Sequence, residues 1–161
     1  MMQPFQSFME EHRTYVYRFL LATVGPAEAD DTFQETFLSA LRAYPKLEHD
    51  RNLRGWILAI AARKAIDATR GRARRATPVV AVPEAIHHSE SGQPFDAEDP
   101  LWQAVRALPQ RQRVALVHRV ILDRSYNELA SAMGTTVEAA RANVYQALKQ
   151  LRKGWSEDED D

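Results

Sequence analysis

Cysteine is absent from this 161-residue chain, which excludes a disulfide framework, a thiolate zinc site and a thiol redox switch. Long apolar runs are also missing. No stretch approaches the roughly 18 apolar residues that a membrane span requires, and Met1 to Glu11 lacks the basic segment and apolar run of a secretory leader. These absences predict a cytoplasmic protein with no membrane insertion. Nor is there a Gly-rich phosphate loop or a nucleophile set beside a base, and the carboxylates of Asp30, Asp31 and Glu35 have no His at metal-ligand spacing. His87 and His88 are adjacent in a polar stretch and read as solvated. No catalytic residue, cofactor or metal is therefore expected.

What is present is a foldable chain with blocks of charge. Apolar residues make up 45% and charged residues 27%, enough apolar surface for compact cores. The net charge of -1 hides an alternation. From Met1 to Asp50 there are 4 basic and 8 acidic residues, whereas Arg51 to Arg75 holds 8 basic and 1 acidic. Ala76 to Pro100 has no basic and 5 acidic residues, Leu101 to Trp155 has 9 basic and 3 acidic, and Ser156 to Asp161 is acidic only. Two basic blocks flanked by acidic ones are each an electrostatic footprint suited to a phosphate backbone.

Apolar spacing predicts an all-α chain of two small helical domains. Phe5, Phe8, Met9, Tyr15, Val16 and Phe19 mark a first amphipathic helix that ends near Gly25-Pro26. Phe33, Phe37, Ala40, Leu41 and Tyr44 mark the buried stripe of a second, which Pro45 helps to stop. A third runs from about Asn52 to Arg70 with Trp56, Ile57, Ile60 and Ala61 inward and a basic downstream half. These form an N-terminal domain over residues 1–75. Pro78, Pro83, Gly92 and Pro94 then interrupt an acidic stretch, read as a flexible linker over 76–98. In the second domain, 99–155, Leu101, Trp102, Val105 and Leu108 precede Pro109, followed by Val114, Val117 and Ile121. An acidic tail over 156–161 is expected to be disordered.

The C-terminal domain carries a helix-turn-helix signature. Tyr126, Leu129, Ala130 and Met133 stand at i, i+3, i+4 and i+7, followed by Gly134 as a turn and Thr135 and Thr136 as candidate N-caps. The next helix has Val137, Ala140, Val144, Leu148 and Leu151 inward. Glu138, Arg141, Ala142, Tyr145 and Lys149 then fall on the opposite face, which suits a major groove. Arg141 can pair with a guanine edge, and Asn143 and Gln146 with adenine edges. In the second helix Asp31, Gln34, Glu35 and Leu38 face away from Phe33 and Phe37, a narrow acidic face with an apolar edge that suits a basic partner helix. Arg63, Lys64, Arg70, Arg72, Arg74 and Arg75 form the other basic segment, fit to neutralise a phosphate backbone.

Several of these stretches resemble one family. Ala104-Val-Arg-Ala-Leu-Pro-Gln-Arg-Gln-Arg113, Ser125-Tyr-Asn-Glu-Leu-Ala130 and Thr136-Val-Glu-Ala-Ala-Arg141 are similar to the promoter-binding C-terminal domain of extracytoplasmic-function (ECF) sigma factors. Asp31-Thr-Phe-Gln-Glu-Thr-Phe37 resembles the helix with which that family grips the polymerase. Gly55-Trp-Ile57, Ile60-Ala61 and Ala65-Ile-Asp67 resemble its promoter-melting segment. The resemblance implies a non-enzymatic subunit of RNA polymerase that contacts the beta-prime clamp through Asp31, Gln34, Glu35 and Leu38 and also the beta flap. It implies that Arg63, Lys64, Arg70 and Arg74 serve the minus-ten element and Glu138, Arg141, Ala142, Asn143, Tyr145 and Gln146 the minus-thirty-five element. It further implies an anti-sigma protein as a partner. Arg63 stands where relatives often have Asn, and Asn143 and Gln146 where they often have Arg, departures that bear on base preference and phosphate contacts.

Overall fold

The computed structural model describes residues 2–74 and 100–159, with side chains for 2–68 and 100–154. The described residues form seven α-helices and no strand. The proposed linker over 76–98 lies outside them.

Helix α1, Phe5–Val24, ends at Gly25, whose φ of 84° and extended ψ suit a residue without a Cβ. Pro26 then opens α2, Pro26–Ala43, at the position where a missing N–H costs nothing. A 3-10 turn, Tyr44–Lys46, closes α2 at Pro45. Helix α3, Leu53–Arg74, starts on Asn52, which sits at φ 54°. The Asn52 Oδ1 accepts the Gly55 N–H at 3.1 Å, and a Cβ on Gly55 would run into that same amide. An aromatic cluster joins the three helices: the Phe8 ring lies 5.2 Å from Tyr44, 5.7 Å from Trp56 and 6.5 Å from Phe37. Trp56 is thus part of the core.

The second helix buries the expected Phe37, Ala40 and Tyr44, with Phe33 packed against the core, but not Leu41. Ala29, Thr32, Thr36, Phe37 and Ala40 are inside, whereas Leu41 is 49% exposed. Burying threonines is cheap here because each hydroxyl donates to the preceding turn, Thr32 to Glu28 O at 2.8 Å and Thr36 to Thr32 O at 2.7 Å.

In the C-terminal unit α4, Pro100–Ala107, breaks at Pro109 before α5, Gln110–Leu116, which runs into a π turn over Val117–Ile121. The Leu122 N–H reaches back five residues to Val117 O at 3.1 Å, which advances the helical phase. Ile121, expected inside, is therefore exposed, as is Val120, and Leu101 at the start of α4 is also exposed. Helix α6, Tyr126–Met133, is capped by the Ser125 hydroxyl, which accepts the Glu128 N–H at 3.1 Å. At its end Gly134 takes φ 64°, with Gly134 N–H to Ser131 O and Thr135 N–H to Ala130 O completing a Schellman turn. Thr136 caps α7, Val137–Glu159, its hydroxyl accepting from Ala139 N–H at 3.1 Å. The α7 backbone stays helical four residues into the expected acidic tail, since each residue added to an existing helix gains a bond without a new nucleation cost.

The two units touch. Helix α3 contacts α1, α2, α5 and α6, and Ile57, Leu58, Ala61, Ala62, Ala65 and Ile66 are buried along it. Polar bonds pin the contact. Arg113 donates from Nη1 to Thr23 O at 2.5 Å and from Nη2 to Leu108 O at 2.9 Å, so one guanidinium closes the end of α1 and the end of α4. Gln110 Nε2 donates to Ala65 O at 2.9 Å, Tyr15 hydroxyl to Leu122 O at 3.1 Å, and Asn52 Nδ2 to Glu128 Oε1 at 3.4 Å. His118 is buried in the π turn, its ring 6.2 Å from Phe19 of α1.

Candidate functional site

Three surfaces carry the residues singled out from the sequence. On α2, Asp31, Gln34, Glu35 and Leu38 are all exposed on one face. Asp30 is not part of it. Its carboxylate accepts from the Tyr17 hydroxyl, and burial followed by the nearby Asp30 charge pushes that phenol above its ordinary pKa. Leu41, one turn beyond Leu38, adds an apolar residue that periodicity had assigned to the core: Leu38 and Leu41 are 52% and 49% exposed. The exposed edge of α2 is thus an apolar pair next to carboxylates. Assigning Leu41 from sequence fails because a threonine at the competing position hides its polarity by bonding its own helix.

On α3, Arg63 is exposed and Lys64 half-buried, beside exposed Asp67. The backbones of Arg70 and Arg74 belong to α3, but their side chains lie outside the described residues. Arg63 projects from the side of the helix opposite the buried Ala61, Ala62 and Ala65, as the helical repeat requires.

On α7, Glu138, Arg141, Ala142, Tyr145, Gln146 and Lys149 are exposed. Tyr145, at 62%, has its ring in solvent rather than in the core. Asn143 differs from its neighbours. It is half-buried, and its Nδ2 donates to Ala139 O at 3.0 Å, so the amide lies along its own helix. Arg141 is not isolated either. Its guanidinium carbon is 5.3 Å from the Tyr126 ring centroid, and that of Arg119 is 4.7 Å from the same ring. Arg119 is itself tied to Asp123 at 3.6 Å and donates to Arg124 O at 3.1 Å. Sequence periodicity placed Tyr126 in a core stripe and gave Arg119 no role, because the π turn that brings them together leaves no periodic trace.

The described residues contain no group of three or more His, Asp or Glu placed to hold a metal ion, and no helix among them is long and apolar enough to cross a membrane.

Comparison with known proteins gives these surfaces a common context. Residues 8–75 match the family described as Sigma-70 region 2, and residues 98–151 match Sigma-70, region 4. The chain is 32% identical over 155 residues to the ECF RNA polymerase sigma factor SigD of Mycobacterium tuberculosis, covering 89% of this chain and 73% of that protein. It is 29% identical over 164 residues to the RNA polymerase sigma factor CarQ of Myxococcus xanthus, covering 92% of this chain and 87% of that protein. The fold is similar to that of the sigma factor RpoE of Bartonella quintana, solved in complex with the anti-sigma factor NepR, with a TM-score of 0.72 at 22% identity over 92% of this chain and 94% of that one. A second similar fold is CnrH, solved with the cytosolic domain of CnrY, with a TM-score of 0.66 at 20% identity over 96% of this chain and 88% of that one. With both halves in the same order, joined over nearly the whole length, the chain belongs to the ECF family of RNA polymerase sigma factors.

Proposed function

We propose that the three exposed surfaces divide promoter-specific initiation among them, within the cytoplasm and without covalent chemistry by this chain. The face of α2 made by Asp31, Gln34, Glu35 and Leu38, extended by Leu41, takes the beta-prime clamp of core polymerase: carboxylates meet a basic helix while the leucines bury apolar area. Helix α3 engages the minus-ten element, with Arg63 and Lys64, and Arg70 and Arg74 further along the helix, neutralising phosphates near the opened strand. Helix α7 enters the major groove of the minus-thirty-five element, where Arg141 reads a base edge and Glu138, Ala142, Asn143, Tyr145 and Gln146 line the groove. The C-terminal unit also meets the beta flap, and an anti-sigma protein covers the DNA-facing surfaces in the resting cell.

The observation that carries this reading is the pairing of an exposed acidic and apolar face on α2 with a helix-turn-helix whose outward face is open. A free-standing operator-binding regulator would use α7 but would have no task for Leu38 and Leu41. Run-off transcription with purified core polymerase on a promoter library tests it. Promoter-selective transcripts that depend on this chain are expected; binding to duplex DNA without any polymerase-dependent transcript would overturn it.

A further inference from the structure

We infer that Tyr126 is a positioning residue for promoter reading: the face of its ring holds the Arg141 guanidinium in the pose that α7 presents to DNA, and Arg119 anchors the ring from the turn before α6. The inference deepens the reading of α7 as the recognition helix and rests on it.

An exposed arginine loses much of its rotamer freedom when it is fixed on a base edge, so a contact that restricts it beforehand lowers the cost of binding. Arg141 has such a contact. Its guanidinium lies 5.3 Å from the centroid of the Tyr126 ring, within the range in which the electron-rich face attracts a cation. The ring is well placed to do this because it is itself held. Tyr126 is the first residue of α6, directly after the Ser125 cap that fixes the helix start. Its side chain is half-buried against the core.

On the same ring Arg119 lies at 4.7 Å, with its guanidinium bonded to Arg124 O and paired with Asp123. Asp123 sits at φ 53° in the short connection, a left-handed residue that turns the chain between the π turn and α6. The three side chains therefore join the π turn, the first helix of the motif and the recognition helix. The stack is thus a positioning device: it restricts Arg141 before DNA arrives.

The test uses this chain bound to core polymerase, with affinities measured on upstream-element duplexes of a promoter found by transcription, substituted one base pair at a time. Arg141→Ala is expected to weaken binding roughly 5- to 100-fold and to flatten preference at one base pair. Tyr126→Leu should lose about two- to fivefold, confined to that same base pair, while Tyr126→Phe, which keeps the ring face, retains both affinity and preference. Tyr126→Leu combined with Arg141→Ala should be no weaker than Arg141→Ala alone. Tyr126→Met serves as a second ring-free variant if Tyr126→Leu lowers the melting temperature. Should Arg141→Ala lose nothing on any sequence, Arg141 leaves the interface and the positioning role goes with it. If Arg141→Ala weakens binding but the ring-free variants do not, or their loss adds fully to that of Arg141→Ala, or Tyr126→Phe loses as much as they do, the recognition reading stands and the positioning role of Tyr126 is wrong.

Discussion

Helices α3 and α7 both carry basic residues outward, yet they are held in opposite ways. Helix α3 is shared between the two units: it packs against α1, α2, α5 and α6 and buries a run from Ile57 to Ile66. Helix α7 buries Ala140, Val144 and Ala147 within its own unit and leaves its other side to solvent. On α7 the buried face and the face proposed for DNA are separate. On α3 both demands fall on one helix that both units need, so a change there bears on stability, on the contact between units and on the proposed DNA contact together.

The comparison is sharpest at the centre of α3. Leu58 is fully buried, and Leu58→Ala should cost about 2–5 kcal/mol in urea unfolding, whereas no substitution on the outward face of α7 should approach that. A loss below 1 kcal/mol would break the claim that α3 is the shared core element.

The contact between the units should also respond to acid. Burial first, and the Arg124 charge second, hold His118 at a pKa of about 4, below its ordinary 6.5, and neither ring nitrogen has a hydrogen-bond partner among the described residues. In the unfolded chain the imidazole takes up a proton near pH 6.5 that the folded state refuses. Stability is therefore full above that pH and falls as pH drops towards 4, by roughly 3 kcal/mol in all. His12, likewise lowered chiefly by burial, acts in the same direction. Urea midpoints for the wild type and His118→Phe, compared at pH 7 and 5, check this: the variant should show the smaller drop, and parallel drops would remove His118 as the source.

Arg113 tests the seam itself. Removing its bonds to Thr23 O and Leu108 O leaves two helix-end carbonyls unpaired, and Arg113→Ala should cost about 1–3 kcal/mol. Hydrogen exchange should report the loss at the ends of α1 and α4. Protection unchanged at both ends would mean that the guanidinium is dispensable to the contact.

The smallest effect on stability is expected on α2. Glu35 is exposed, so Glu35→Lys should change unfolding by no more than about 0.5 kcal/mol while weakening the affinity for core polymerase. A folded variant that binds polymerase as well as the wild type would take Glu35 out of the clamp surface.

Much of this arrangement was legible in the residues. Period, caps and turn chemistry agree for α1, α6 and α7, because Gly25-Pro26, Gly134 and Thr136 each demand a particular local conformation. The exposed faces of α2 and α7 followed from the same spacing. Two of the misplaced residues have a clear physical cause. Leu41 yielded its buried position to threonines that satisfy their own hydroxyls, and Ile121 was rotated outward by a π turn that no hydrophobic pattern announces. The contact between the units was not legible at all: Gln110 and Arg113 bond backbone carbonyls, which carry no sequence signature. The Arg119, Tyr126 and Arg141 stack escaped for a related reason, since it joins residues from three elements.

The seam between the units also sets an order of events in the making of the molecule. Tyr15 to Leu122, Thr23 to Arg113 and Asn52 to Glu128 span 107, 90 and 76 residues of chain. Closing such distances costs loop entropy before any bond repays it, while the cores of α1 to α3 and of α5 to α7 assemble from much nearer neighbours. During synthesis the N-terminal three-helix unit leaves the ribosome ahead of α5 to α7, so it collapses first, with the α3 side that will meet α5 and α6 uncovered. For the seconds that translation of the remainder takes, at about 5–20 residues per second, the nascent chain offers chaperones and other partners an apolar surface that the finished protein hides.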